Sequence, residues 1–230
     1  MIYPMYFSSY YFLFIIIPLL FGAWAQYKVN SSYQMYSGVI CSNGYTGYQA
    51  ARYILDQNGL QHVRIERVKG NLTDHYDPRT NVVRLSEGVF DSASVSAVGI
   101  AAHECGHAVQ HATGYFPLKI RNAVIPLTNF GSRMAVPLVL IGFLFSLYPL
   151  AYIGLIGYAI IALFQLITLP VEFNASTRAV GVLSGMNMTQ SEQTGVKKVL
   201  TAAALTYVAA LLSAITQFLY MFLMISGRRK

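Results

Sequence analysis

Between Met134 and Leu169 the chain runs for 36 residues without a charged side chain. Crossing a bilayer once takes about 20 apolar residues, so this run is too long for one span and about right for two. Tyr148-Pro149 offers the turn between them, and Pro170 is expected to end the run. Two other stretches are long enough to cross. Residues 6–25 carry no charge and place Tyr and Trp near both ends, as at a membrane interface. Leu200 to Ile225 is a second apolar run. The rival reading of the first stretch is a cleaved signal peptide ending near Ala23-Trp24-Ala25. No Lys or Arg precedes that run and Lys28 follows it, which favours an uncleaved anchor with its N-terminus outside.

Composition agrees. The chain is 55% hydrophobic and 11% charged, against about 25% charged in ordinary soluble domains. The net charge of +7 comes from scattered Lys and Arg, with no basic stripe interleaved with aromatics, so nucleic acid is not the expected partner. The basic residues are better read as holding loops at the cytoplasmic face of a membrane. On that reading Lys28, Lys119, Arg121, Arg133, Arg178, Lys197 and Lys198 are cytoplasmic. Four spans would then put the Arg228-Arg229-Lys230 tail outside, against the same rule. Cys41 and Cys105 are the two cysteines, and a disulfide between them is not expected.

The expected fold is a mainly α membrane protein with about four hydrophobic segments and a small α+β portion. Its divisions are 1–25, an anchor; 26–133, the α+β portion; 134–169, a transmembrane hairpin; 170–198, a helix and connector; and 199–230, a hydrophobic segment with a basic tail. Within the second division, Thr46 to Gln57 has apolar residues at helical spacing and Asn58-Gly59 as a stop. Val63 to Val68 alternates like a strand, Lys69 to Asp77 is turn-rich, and Asn81 to Leu85 reads as a second strand. That second strand, just before the next helix, is a candidate edge for pairing with an extended peptide. Leu118 to Arg133 reads as a basic connector.

The chemistry concentrates in Ser92 to His111, where His103-Glu104-Cys105-Gly106-His107 forms an H-E-x-x-H. On a helix capped by Asp91 or Ser92, two His four residues apart differ by about 40° and rise about 6 Å. Both imidazoles then lean toward one point, as two ligands of one tetrahedral zinc must. Glu104, about 100° round from His103, reaches the edge of the metal shell as a general base. A carboxylate and two imidazoles in an apolar helix are costly to bury unless something pairs them, and a metal does so.

A catalytic zinc takes three protein ligands and a water. His111 continues the same face but lies about 12 Å along the axis from His103. Glu172 is the better candidate. It is the sole acid between Glu104 and Glu192, placed where the hairpin leaves the membrane, and a carboxylate there needs a partner. Pairing with Arg178 is the alternative. Asn174 or Ser176 would orient the ligands. His75 is a candidate donor to the oxyanion formed at the scissile carbonyl, with Tyr76 and Arg178 behind it.

The order of H-E-x-x-H, membrane hairpin and Glu-x-x-Ala-Ser resembles membrane-embedded gluzincin proteases. Leu72–Phe90, Ala101–His111 and Leu169–Ala179 are similar to the bacterial membrane-bound neutral zinc metallopeptidase (YugP-like) family, related to the CAAX-type and heat-shock membrane peptidases. The resemblance implies a zinc-dependent peptidase with His103, His107 and Glu172 as ligands and Glu104 as base. Ser176 stands where the CAAX-type and heat-shock enzymes carry Asp, which leaves the usual carboxylate–His pairing around the metal without its obvious acid; Asp74, in the Leu72–Asp77 turn, is one substitute. A polypeptide substrate, a zinc ion and a lipid bilayer are the expected partners. The competing reading is a membrane scaffold or transporter-associated protein with a structural zinc.

Overall fold

The computed structural model describes residues 9–227. The Arg228-Arg229-Lys230 tail, and with it the conflict over its side of the membrane, lies outside the described residues. The fold is mainly α with one small sheet. In chain order the elements are α1 (Ser9–Ser37), α2 (Gly47–Gln57), β1 (Arg64–Val68), β2 (His75–Asp77), β3 (Val82–Ser86), α3 (Glu87–Phe90), α4 (Val95–Ala112), α5 (Phe116–Leu144), α6 (Tyr148–Leu183) and α7 (Gln190–Gly227). Among the described residues α1, α5, α6 and α7 are long and apolar enough to cross a membrane.

The chain divides into two compact units, each discontinuous in sequence. The first comprises Met1–Ala25, Ile120–Leu169 and Thr206–Lys230. Its charged residues within the described range are Arg121 and Arg133 alone. Here α5 and α6 pack through small residues. A side chain on Gly142 would meet the Ala151 nitrogen at 2.6 Å, and one on Gly154 would meet the Ala135 carbonyl oxygen at 2.7 Å. Close backbone approach of this kind is how helices associate where apolar surroundings give no hydrophobic drive. Leu140, Leu144 and Ile156 remain exposed on the outside, a face suited to lipid.

The second unit, Gln26–Lys119 with Pro170–Leu205, holds the main core. Thr46 caps α2 by accepting from the Gln49 amide at 3.2 Å while the Gln49 side chain accepts from the Thr46 amide at 3.0 Å, a reciprocal capping box. The apolar face of α2 buries Ala50, Ala51, Ile54 and Leu55. These pack in one cluster with Val95, Val98, Ala101, Ala102 and Cys105 of α4, Ala179 and Leu183 of α6 and Val196 and Leu200 of α7. The sheet runs β1-β3-β2, with β1 parallel and β2 antiparallel to β3.

Several expectations need correction. The β3 strand is not an edge: it is paired on both sides, and β2, formed within the turn-rich Lys69–Asp77 stretch, takes the outer position. Three residues are too few for alternation to mark a strand, so only the register with β3 reveals it. Residues 118–133 are not a connector but part of α5, because three basic side chains in sixteen residues do not interrupt a helix whose other positions are mostly apolar. Pro170 does not end the hairpin but lies inside α6; a proline costs one backbone donor, which long apolar helices tolerate. The cap of α4 is Ser94, not Asp91 or Ser92; its side chain accepts from the Ala97 amide at 3.3 Å. The first helix runs unbroken through Ala23-Trp24-Ala25 to Ser37.

Thr46→Ala is expected to cost about 1 kcal/mol through the lost cap. Gly47→Ala costs more, about 1–3 kcal/mol, because its methyl would collide with the Val89 carbonyl oxygen. Thermal unfolding of the detergent-solubilised chain followed by circular dichroism checks the order.

Candidate metal centre

The site is built on two helices of the second unit. One is α4, whose residues from Val95 to Gln110 are mostly buried. Its end is set by Gly114 at φ +64, where the Gly114 amide donates to the His111 carbonyl and the Tyr115 amide to the Gln110 carbonyl, the paired closure of a Schellman motif. The other is the stretch of α6 that follows Pro170. They meet at Gly106, where an added Cβ would stand 2.7 Å from the Ala175 carbonyl oxygen. The position between Cys105 and His107 therefore has no room for a side chain, and that closeness brings Glu172 within reach of α4.

Three predicted residues come together. The Nε2 atoms of His103 and His107 lie 3.3 Å and 3.5 Å from Glu172 Oε2. The rings stand edge to face, centroids 4.7 Å apart and inclined by 82°, so their Nε2 atoms converge. One ligand atom from each of the three residues lies within 4.8 Å of the others. Glu172 is 2% exposed. Each far ring nitrogen has a partner: His103 Nδ1 lies 3.2 Å from Ser176 Oγ and His107 Nδ1 lies 3.0 Å from Gln110 Oε1. Two imidazole nitrogens, one carboxylate oxygen and tethered far nitrogens make a donor set that a zinc ion takes, so these residues fit that group.

Glu104 is buried beside them. Burial alone disfavours charge on His107, but the neighbouring carboxylates Glu172 and Glu104 outweigh it and raise its pKa. Asp74 is also raised, by burial first, against the Ser86 hydrogen bonds that lower it and with the Glu104 charge adding to the rise. Thus the Glu104 charge is felt by the imidazole on one side and by a second carboxylate on another.

Other predicted residues are placed elsewhere. His75 is exposed on β2, its Nδ1 2.8 Å from the Thr73 carbonyl oxygen, outside the three-residue group. Asp74 does not meet His103; its carboxylate accepts from the Ser86 amide at 2.7 Å and from the Ser86 hydroxyl, tying its loop to β3. Tyr76 turns its hydroxyl to His111 Nδ1 at 2.9 Å. Arg178 donates from Nε to Asn174 Oδ1 at 2.8 Å, while Glu172 Oε2 faces His103 and His107. Cys105 points away, its thiol 3.6 Å from the Ala51 carbonyl, and both cysteines are free. Reading by charge overlooked Gln110, which is 0% exposed. A lone amide on the buried face of α4, three residues past His107, was the available signal.

Gly106→Ala is expected to lower stability by about 1–3 kcal/mol, since backbone on α6 must retreat. The control is Gly181→Ala, where nothing lies within 4 Å of an added Cβ; it should match or exceed the parent chain in the same melting experiment.

Comparison with known proteins gives a family and a relative. The family described as "Putative neutral zinc metallopeptidase" matches residues 11–226. The "Putative membrane protease YugP" of Bacillus subtilis (strain 168) is 47% identical over 220 residues, covering 94% of this chain and 98% of that protein. No solved structure matches.

Proposed function

The chain belongs to the neutral zinc metallopeptidase family, and on that premise we propose that it is an integral membrane zinc endopeptidase of gluzincin type. The observation that carries the reading is the convergence of His103 Nε2 and His107 Nε2 on Glu172 Oε2. A zinc ion held by these three side chains supplies a Lewis acid and brings the pKa of a water down to about 7. Glu104 is the general base: its carboxylate takes the proton of the attacking water and later hands it to the leaving amine. The two imidazoles keep their far nitrogens engaged, so their near nitrogens stay aimed at one point.

A structural zinc would call for a fourth protein ligand. Among the described residues the group has three members; Cys105 and His75 are engaged with backbone carbonyls and His111 with the Tyr76 hydroxyl. That supports turnover over a scaffold role. Of the candidate oxyanion donors, His75 sits on the outer strand β2 and is retained as the first to test. The chain crosses the cell membrane through α1, α5, α6 and α7, and its charged second unit faces the cytoplasm, as the basic residues of that unit favour. The substrate is a membrane or unfolded polypeptide.

The test uses detergent-purified protein and unfolded casein. Cleavage should occur with zinc and stop with chelator. Glu104→Gln should keep stoichiometric zinc and lose at least about 100-fold in turnover; if that variant still cleaves at the parental rate, Glu104 has no part in the chemistry. Glu172→Ala should lose zinc affinity by orders of magnitude, and unchanged occupancy would give the third position to another residue.

A further inference from the structure

We propose that Gln110 is the positioning residue of the metal centre, fixing His107 with Nε2 toward Glu172 and holding α6 in register on α4. This rests on the zinc reading of the site given above. The side chain of Gln110 is wholly buried, so every polar atom on it needs a partner. Its Nε2 lies 2.8 Å from the Val171 carbonyl oxygen. A carbonyl oxygen accepts and never donates, so the nitrogen end of the amide must face Val171 and the oxygen end must face His107.

A second chain of fixed roles leads to the same assignment. Arg178 Nε can only donate, and it lies 2.8 Å from Asn174 Oδ1. That oxygen also receives Gln110 Nε2 at 3.0 Å. Gln110 Oε1 is therefore an acceptor, and His107 Nδ1, 3.0 Å away, must carry the proton it accepts. The lone pair of a neutral His107 is left on Nε2, the nitrogen that faces Glu172 Oε2. His103 has no such constraint, because the Ser176 hydroxyl opposite its Nδ1 donates or accepts equally well.

The same amide touches the backbone unit next to a second ligand, since Val171 directly precedes Glu172. One side chain thus orients a ligand on its own helix and anchors the turn that presents the ligand from the other. A neutral amide takes the place beside His107 where many zinc sites put a carboxylate.

The experiment uses the full chain in detergent, with zinc affinity measured by competition against a chromophoric chelator. Gln110→Met keeps length and apolar bulk but removes the acceptor; it should bind zinc about 10–100-fold more weakly. Gln110→Glu keeps an acceptor for His107 but turns its second oxygen on the Val171 carbonyl, so it should preserve the Nδ1 proton of His107 while loosening the hold on α6. In the zinc-loaded, nitrogen-15 histidine-labelled protein, His107 should show a slowly exchanging Nδ1 proton that exchanges rapidly in Gln110→Met. A folded Gln110→Met variant with parental zinc affinity overturns the proposal and leaves the zinc site standing. If that variant does not fold, the parent spectrum decides: a protected Nδ1 proton on His107 supports the assignment, and an unprotected one overturns it. Absence of zinc binding in the parent chain itself would sink the reading of the site and this inference with it.

Discussion

The close approach of α4 and α6 at Gly106 is the constraint from which the site follows. Backbone meets backbone there, with the Ala175 carbonyl oxygen where a side chain would otherwise be. Only at that distance does Glu172, 2% exposed on one helix, reach the imidazoles on the other. Burying a carboxylate so deeply costs several kcal/mol unless charge or hydrogen bonds offset it. Oε2 lies within 3.5 Å of two imidazole nitrogens, and a cation held between these three atoms would provide that offset. The helix contact that buries the acid is thus the one that sets it opposite the two rings.

Charge is divided sharply between the two units. The described part of the first has two charged residues, Arg121 and Arg133, and its helices exclude one another's side chains by using glycine and alanine at the contacts. The second has the sheet, the capped helices and the ion pairs of Arg52, Arg64, Arg67 and Arg84. A single chain therefore satisfies two solvents. Apolar surface is left outward where lipid is the natural surrounding, and polar groups are paired or wetted where it is not.

Much of this was legible in the order of residues. A 36-residue stretch with no charge admits few structures, and the hairpin of α5 and α6 with its turn near Tyr148 follows from it. The spacing of His103 and His107 announced a shared point in space, and Glu172 was conspicuous as the lone acid between two distant ones. What stayed hidden depended on partners remote in sequence. The β2 strand is defined by the register of His75, Tyr76 and Asp77 against Arg84, Val83 and Val82, which no local pattern encodes. Pro170 looked like a terminus because in water it usually is one. Gln110, an uncharged amide on an apolar helix face, gives only a weak signal until its neighbours are known.

Cys105 lies two residues before one imidazole and two after the other, a place where a thiol would ordinarily invite oxidation or offer a further ligand. Its sulfur is directed instead at the Ala51 carbonyl, and burial, aided by the Glu104 charge, pushes the thiol far up. Cys41 is likewise held up, to about 11, by burial and the Glu192 charge. Thiolate is the reactive form, and the burial that turns both sulfurs into the core works against forming it. A sulfhydryl reagent is therefore expected to react slowly with the folded chain and faster once the core opens.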